Sequence, residues 1–215
     1  MKTFVKFCGI TDSEACRAVP EGGAAGFVIG VPQSPRNLTP ERAAELIGDV
    51  PNGAEVWAVV VEPSAELIHS LFDRVGVDRV QLYGAIPEGL EFLEVHHLVP
   101  SLPVGVPGGD APAPTVPPAE SFPRVHLDAA GLPLPGGNAT RPDWTVCAQI
   151  VDTHPGRKFV LAGGLDAANV AEAMTTVRPW GVDVSSGIED RPGHKDPTRM
   201  RAFLEAVLKQ ESTNA

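Results

Sequence analysis

Cysteine is scarce in this chain, with only Cys8, Cys16 and Cys147 among 215 residues. The number is odd, the spacings are irregular, and no Cys-x-x-Cys or mixed Cys/His pattern accompanies them, which excludes a disulfide framework and a zinc site. Clusters of basic residues are missing as well. With a formal net charge of −10, no surface is equipped to hold nucleic acid or an anionic membrane, so any phosphate guest has to be held locally. No apolar run approaches the length of a membrane span. The chain passes straight into Phe4-Val5-Lys6-Phe7 without a charged leader and long apolar stretch, so the expected compartment is the cytoplasm. What is present is a 43% hydrophobic composition, enough for one substantial core. The expectation is a single domain over 1–210 with a short tail at 211–215.

The most informative stretch is Lys158-Phe159-Val160-Leu161-Ala162-Gly163-Gly164-Leu165. An apolar run ends in two glycines, and Asp166 then opens a helical pattern with Val170, Ala173, Met174 and Val177 on one face, which reads as strand, tight turn, helix. Glycines between a strand end and a helix N-terminus let backbone N–H groups approach an anion. Trp180-Gly181-Val182-Asp183-Val184 followed by Ser185-Ser186-Gly187 repeats the arrangement with hydroxyls beside the glycine. Two successive strand ends with phosphate-type loops match the last two strands of a (β/α)8 barrel, an α/β TIM-barrel architecture.

The rest of the chain supplies the other six strands. They read as Thr3–Phe7, Ala25–Ile29, Glu55–Val61, Asp78–Tyr83, Glu94–Val99 and Arg124–Leu127. Between them Thr11 with Glu14, Thr39 with Pro40, Pro63-Ser64 and Asp143 or Thr145 mark helix starts, and Asp196-Pro197 opens a closing helix. From Pro100 to Pro123 prolines are too dense for a helix interior, so the fifth helix is expected to be replaced by an irregular loop rich in proline and glycine. His96-His97 cannot converge on one metal, because neighbours on a strand point to opposite faces.

Three residues then stand at carboxyl ends of strands or on the loops that follow, where a barrel keeps its chemistry. A cysteine among apolar neighbours is more often an inert packing residue, but Cys8 ends the first strand. Asp128 ends the sixth, where a capping aspartate is the plain alternative. Arg36, in Ser34-Pro35-Arg36, offers either a solvated charge or a planar fork for a carboxylate.

With those residues placed, the chain resembles the phosphoribosylanthranilate isomerases of the tryptophan pathway over nearly its whole length. The matching motifs are Lys6-Phe7-Cys8-Gly9-Ile10-Thr11, Ser34-Pro35-Arg36, Gln81-Leu82, Leu127-Asp128, Leu161-Ala162-Gly163-Gly164-Leu165 with Asn169-Val170, and Asp183-Val184-Ser185-Ser186-Gly187-Ile188-Glu189 with Gly193 and Lys195-Asp196. The resemblance implies an Amadori rearrangement of N-(5-phosphoribosyl)anthranilate to the 1-deoxyribulose 5-phosphate derivative, without cofactor or metal. It implies Asp128 as general acid on the furanose oxygen and Cys8, as thiolate, as the base at C2. Arg36 is similar to the residue that holds the anthranilate carboxylate, and Asp183 to one contacting sugar hydroxyls. Gln81 belongs with the substrate-binding residues, and Gly163, Gly164, Ser185, Ser186 and Gly187 resemble the phosphate cradle. The partner expected is a small phosphosugar, the protein a monomer or homodimer. An acid has to carry its proton when substrate arrives, so Asp128 is expected to titrate above the ordinary carboxylate range, with Asp128 limiting activity on the alkaline side and Cys8 on the acid side.

Two departures stand out. The family pattern Gln-Leu-His-Gly reads Gln81-Leu82-Tyr83-Gly84 here, and Gly-Gly-Thr-Gly after the sixth strand reads Gly136-Gly137-Asn138-Ala139. Alternative readings are a divergent paralogue acting on a related aminated phosphosugar, or a phosphosugar-binding protein that has lost turnover.

Overall fold

The computed structural model describes residues 2–90, 97–130 and 140–213. Glu94 to His96 of the expected fifth strand, and Gly136-Gly137-Asn138-Ala139, lie outside the described residues.

The strands are β1 Phe4–Cys8, β2 Ala24–Ile29, the two-residue β3 Asn37–Leu38, β4 Glu55–Val61, β5 Arg79–Tyr83, β6 Leu98–Val104, β7 Arg124–Ala129, β8 Lys158–Leu161 and β9 Gly181–Val184. All their pairings are parallel, and β1 pairs with both β2 and β9, so eight strands close into a barrel with β3 added beside β2. A short antiparallel hairpin, β10 Glu189–Arg191 with β11 His194–Lys195, follows the last barrel strand. Helices α1 Ser13–Arg17, α2 Pro40–Ile47, α3 Ala65–Ser70, α4 Trp144–Thr153, α5 Val170–Val177 and α6 Pro197–Thr213 lie between and after the strands. The closing helix α6 therefore runs into the stretch read as a tail.

Side-chain alternation divides the core in two. Val5, Phe7, Ala25, Phe27, Val125, Leu127, Phe159 and Leu161 join the helices' apolar faces in the large outer core. Phe4, Ala24, Trp57, Val99 and Val160 form a smaller apolar cluster against Trp180, which is the floor of the barrel interior. One step up, the inward residues of β1, β5, β7 and β9 turn polar: Lys6, Gln81, His126 and Asp183 are all buried. The next inward step carries Cys8, Tyr83 and Asp128, which open onto the mouth.

Local signals explain most boundaries. Thr39, Ser64 and Asp143 each accept a backbone N–H at their helix starts, and Gly76 ends the α3 segment in the left-handed region at φ 82° after a π turn over Leu71–Val75. At α1 the cap is Asp12, which accepts from Ala15 N, whereas the Thr11 hydroxyl donates to the Gly193 carbonyl. Asp166 accepts from the N–H groups of Ala168 and Asn169, and the regular helix α5 begins only at Val170. The fifth barrel strand lies later than expected, at Leu98–Val104, and takes Pro100 and Pro103 into its interior. These prolines are an odd number of residues apart, so their missing donors fall on opposite neighbouring ladders and each ladder loses a single bond. Residues 105–123 contain no helix. Arg157 ties that segment down by donating to the carbonyls of Pro117, Pro118 and Phe122.

Candidate active site

The mouth encloses a cavity of about 360 Å³, a common size for a small-molecule site. Val28 of β2 and Val59 and Val61 of β4 form an apolar wall on one side. In strand order the residues facing it come from β7 to β9: Asp128, then Ala162, Gly163 and Gly164, then Asp183, Ser185 and Ser186. Cys8, Arg36 and Tyr83 also line it.

Asp128 is held at both oxygens. Its Oδ1 accepts from the N–H of Ala129 at 2.8 Å, and its Oδ2 accepts from the Tyr83 hydroxyl at 2.7 Å. Burial pushes the carboxyl above the ordinary range, and the nearby Asp183 adds to this, while His126, Tyr83 and the Ala129 amide act in the opposite direction without overcoming it. The raised acid expected for Asp128 is thus present, with a physical cause.

Cys8 lies across the mouth on β1, above Lys6, which faces inward two residues earlier. Gly26 of β2 makes this possible, because a Cβ there would lie 3.0 Å from Lys6 Nζ. Burial raises the Cys8 thiol above its ordinary value, and the ammonium groups of Lys6 and Lys195 only partly counter it. For Lys6 itself, burial favours loss of the proton, but Asp183 and Cys8 outweigh it and the ammonium is held. Lys6 Nζ donates to Asp183 Oδ2 at 2.9 Å, and His126 Nε2 meets the same oxygen at 2.7 Å. Asp183 is buried, which raises its pKa, yet Lys6 and His126 carry the net shift downward and keep it ionised. Its other oxygen, Oδ1, is buried with no hydrogen-bond partner. A desolvated carboxylate oxygen at a cavity wall is an acceptor in want of a donor.

Arg36 is already engaged. Its Nε and Nη2 donate to the two oxygens of Glu189, both at 2.7 Å, in a buried fork-to-fork pair. Lys195 Nζ donates to Glu189 Oε1 at 2.7 Å and to the Ser185 carbonyl at 3.1 Å. Burial pushes Glu189 up, but Arg36 and Lys195 bring it below the usual carboxylate range. Lys195 goes the other way, since burial lowers its pKa by more than Glu189 restores. The β10–β11 hairpin thus forms part of the rim: its Gly193 packs on the Pro35 backbone, and Gly9 leaves room for the Arg36 stem.

Of the residues expected from the sequence, Cys8, Arg36, Asp128, Gly163, Gly164, Asp183, Ser185 and Ser186 come together on one cavity. Two expected residues are placed differently. Gln81 lies one layer below, its Nε2 3.2 Å from the Tyr83 hydroxyl, Ser101 Oγ and His126 Nδ1. Gly187 does not line the cavity; a Cβ there would collide with the Leu165 carbonyl, so its glycine serves close packing of the two loops. Sequence reasoning assigned no role to Lys6, His126, Glu189 or Lys195. For Lys6 and His126 the signal existed: each sits two residues before a mouth residue, and so on the same inward face. Among the described residues no group of three His, Cys, Asp or Glu could hold a metal ion, and no helix is long and apolar enough to cross a membrane.

Fold and site define the class: a (β/α)8 barrel whose mouth presents a carboxyl and a thiol to one cavity, the equipment of proton transfer. The chain belongs to the N-(5'-phosphoribosyl)anthranilate isomerase family, whose model matches residues 5–206. A relative of that name from Paramagnetospirillum magneticum is 38% identical over 216 residues, covering 96% of this chain and 98% of the relative. The solved phosphoribosyl anthranilate isomerase of Thermotoga maritima superposes with a TM-score of 0.76 at 30% identity, covering 96% of this chain and 99% of that one. Another solved phosphoribosyl anthranilate isomerase, in complex with reduced 1-(o-carboxyphenylamino)-1-deoxyribulose 5-phosphate, gives a TM-score of 0.72 at 29% identity, with 96% and 99% of the two chains covered.

Proposed function

We propose that this protein isomerises N-(5'-phosphoribosyl)anthranilate to 1-(2-carboxyphenylamino)-1-deoxyribulose 5-phosphate, with Asp128 as acid and Cys8 as base. The observation that carries this reading is that the two groups face one cavity having an apolar wall beside Arg36 on one side and a glycine and serine rim on the other. Asp128 gives its proton to the furanose oxygen as the C1–O bond breaks and the anthranilate nitrogen lone pair forms the iminium. The iminium acidifies C2–H, Cys8 takes that proton, and the electron pair moves into the C1–C2 bond of the enolamine. Water takes the proton on the C2 oxygen and supplies one at C1 to give the ketone. Exchange with solvent returns the proton to Asp128 and removes it from Cys8, so protons balance over the turnover. The Asp183 oxygen that lacks a partner accepts from a sugar hydroxyl, and backbone N–H groups at Gly163, Gly164, Ser185 and Ser186 cradle the phosphate. The anthranilate ring lies on the Val28, Val59 and Val61 wall, with its carboxylate toward Arg36. A soluble phosphosugar substrate fits work in the cytoplasm, by a monomer or homodimer.

The protonation pattern sharpens the mechanism. An ordinary aspartic acid titrates near about 4 and a cysteine near about 8.5; burial displaces both upward here. Activity against pH is a bell whose two limbs report Asp128 and Cys8. A fluorescence assay of phosphoribosylanthranilate consumption tests the activity. Turnover by the wild type is expected, and binding of phosphosugar without turnover would favour a binding protein instead.

A further inference from the structure

We propose that Tyr83 is a positioning residue for the acid: its hydroxyl clamps the Asp128 carboxyl and orients it toward the reacting ring oxygen. The proposal rests on the reading of Asp128 as the acid. The geometry is specific. Tyr83 and Gln81 face inward from β5, Asp128 and His126 from β7, and the Tyr83 hydroxyl reaches Asp128 Oδ2 at 2.7 Å, spanning the intervening β6. The Tyr83 ring lies edge-on to His126, with centroids 6.4 Å apart, so it cannot swing away without losing that contact. With Ala129 N on Oδ1, the carboxyl has a donor at each oxygen and a fixed rotamer.

A hydroxyl serves both protonation states of the acid. When Asp128 is ionised, Tyr83 donates to it. When Asp128 holds its proton, Tyr83 can accept from Oδ2 and turn its own hydrogen to Gln81. The Gln81 amide is the receiver: one of its terminal atoms meets the hydroxyls of Tyr83 and Ser101 and His126 Nδ1, while the other, assigned as Oε1, is buried without a partner. Amide oxygen and nitrogen are assigned from such networks, and turning the amide over presents Oε1 to the hydroxyls of Tyr83 and Ser101, both able to donate. Tyr83 does not ionise in this exchange, since burial and the neighbouring Asp128 push it well above its ordinary value.

The titratable and charged groups facing Asp128 and Tyr83 are His126 on β7, Asp183 on β9, Cys8 on β1 and Cys147 on α4. None of them is altered by Tyr83→Phe, which removes one oxygen and keeps the ring. A donor to a carboxylate favours the ionised form, so its loss raises the pKa of Asp128. The limb of kcat/KM that follows Asp128 is expected to move up by about half a unit to one unit, the scale of one hydrogen bond to a carboxylate. The same change enlarges the protonated fraction, which raises the rate, and loosens the carboxyl, which lowers it, so the limb position rather than the rate is the readout. Affinity for the reduced product analogue should stay within about twofold, because the hydroxyl is committed to Asp128. The experiment is the pH profile of wild type, Tyr83→Phe and Asp128→Asn, with thermal melts of each. A profile with neither limb moved in Tyr83→Phe overturns the clamp, whatever happens to Tm. Wild-type turnover in Asp128→Asn overturns the assignment of the acid itself, which is a different failure.

Discussion

Each end of the barrel carries a network of charged side chains, and the two differ in what they leave unsatisfied. At the amino end of the strands Glu55 accepts from Trp57 Nε1 at 2.8 Å, Arg79 Nε at 3.1 Å and Arg124 Nη1 at 2.6 Å, and Arg124 lies over the rings of Phe4 and Trp180. Burial pushes Glu55 up, but these donors outweigh it and hold the carboxyl low. At the mouth Lys6, Asp183 and His126 form a network just as tight, yet Asp183 Oδ1 and Gln81 Oε1 lack partners, and Cys8 and Asp128 are both raised by burial. A closed network serves the fold, whereas an open one beside a cavity is prepared for a guest.

The largest break in that comparison is chemical. Cys8→Ser keeps the shape of the site but replaces the thiol proposed to take a proton from C2, and turnover should fall by roughly three orders of magnitude. Single-turnover kinetics with saturating substrate would check it, and turnover within a few-fold of wild type would remove Cys8 from the mechanism. Next comes Lys6→Met, which strips a buried ammonium from Asp183 and from the base. It should cost about 3 to 5 kcal/mol of stability, the scale for an orphaned buried partner, read by denaturant unfolding.

Smaller effects sharpen the contrast from the other side. Glu55→Gln at the amino end should cost about 1 to 2 kcal/mol in the same unfolding measurement, while turnover stays within about twofold of wild type. A turnover loss comparable to that at the mouth would erase the distinction. Acid titration acts with one sign on the paired carboxylates of both ends and with the other on Asp128. Asp183, Glu189 and Glu55 have depressed folded-state pKa values, so their contribution is present above the unfolded carboxylate range and is lost as pH falls through the folded values. Asp128 is raised, so it detracts from stability as pH rises above the unfolded value. Activity should therefore fall along its acid limb before the fold gives way, which parallel activity and circular-dichroism titrations would reveal.

The sequence made the barrel legible because its signals were local and periodic: apolar runs ending in Gly163-Gly164, caps at Thr39, Ser64 and Asp143, and a stop at Gly76. The fifth strand was misplaced because Pro100 and Pro103 read as loop, and nothing local reveals that their missing donors fall on different ladders. The mouth residues Cys8 and Asp128 followed from strand ends. Their supports did not, since the Arg36–Glu189 pair joins residues 153 apart in sequence and Tyr83 meets Asp128 across 45. Gln81 was read as touching substrate because a motif records which residues matter without recording the depth at which they act.

The most direct test of the contrast between the two ends is a paired measurement on Asp128→Asn. The variant keeps the shape of the carboxyl and can still accept from Ala129 N. At the mouth, turnover of phosphoribosylanthranilate should fall by roughly two to four orders of magnitude, with product-analogue affinity nearly unchanged. Because the buried carboxylate detracts from stability at neutral pH, the melting temperature should be no lower than that of the wild type. Turnover within a few-fold of wild type, together with a clearly lowered melting temperature, would make Asp128 a structural residue like Glu55 and contradict the account.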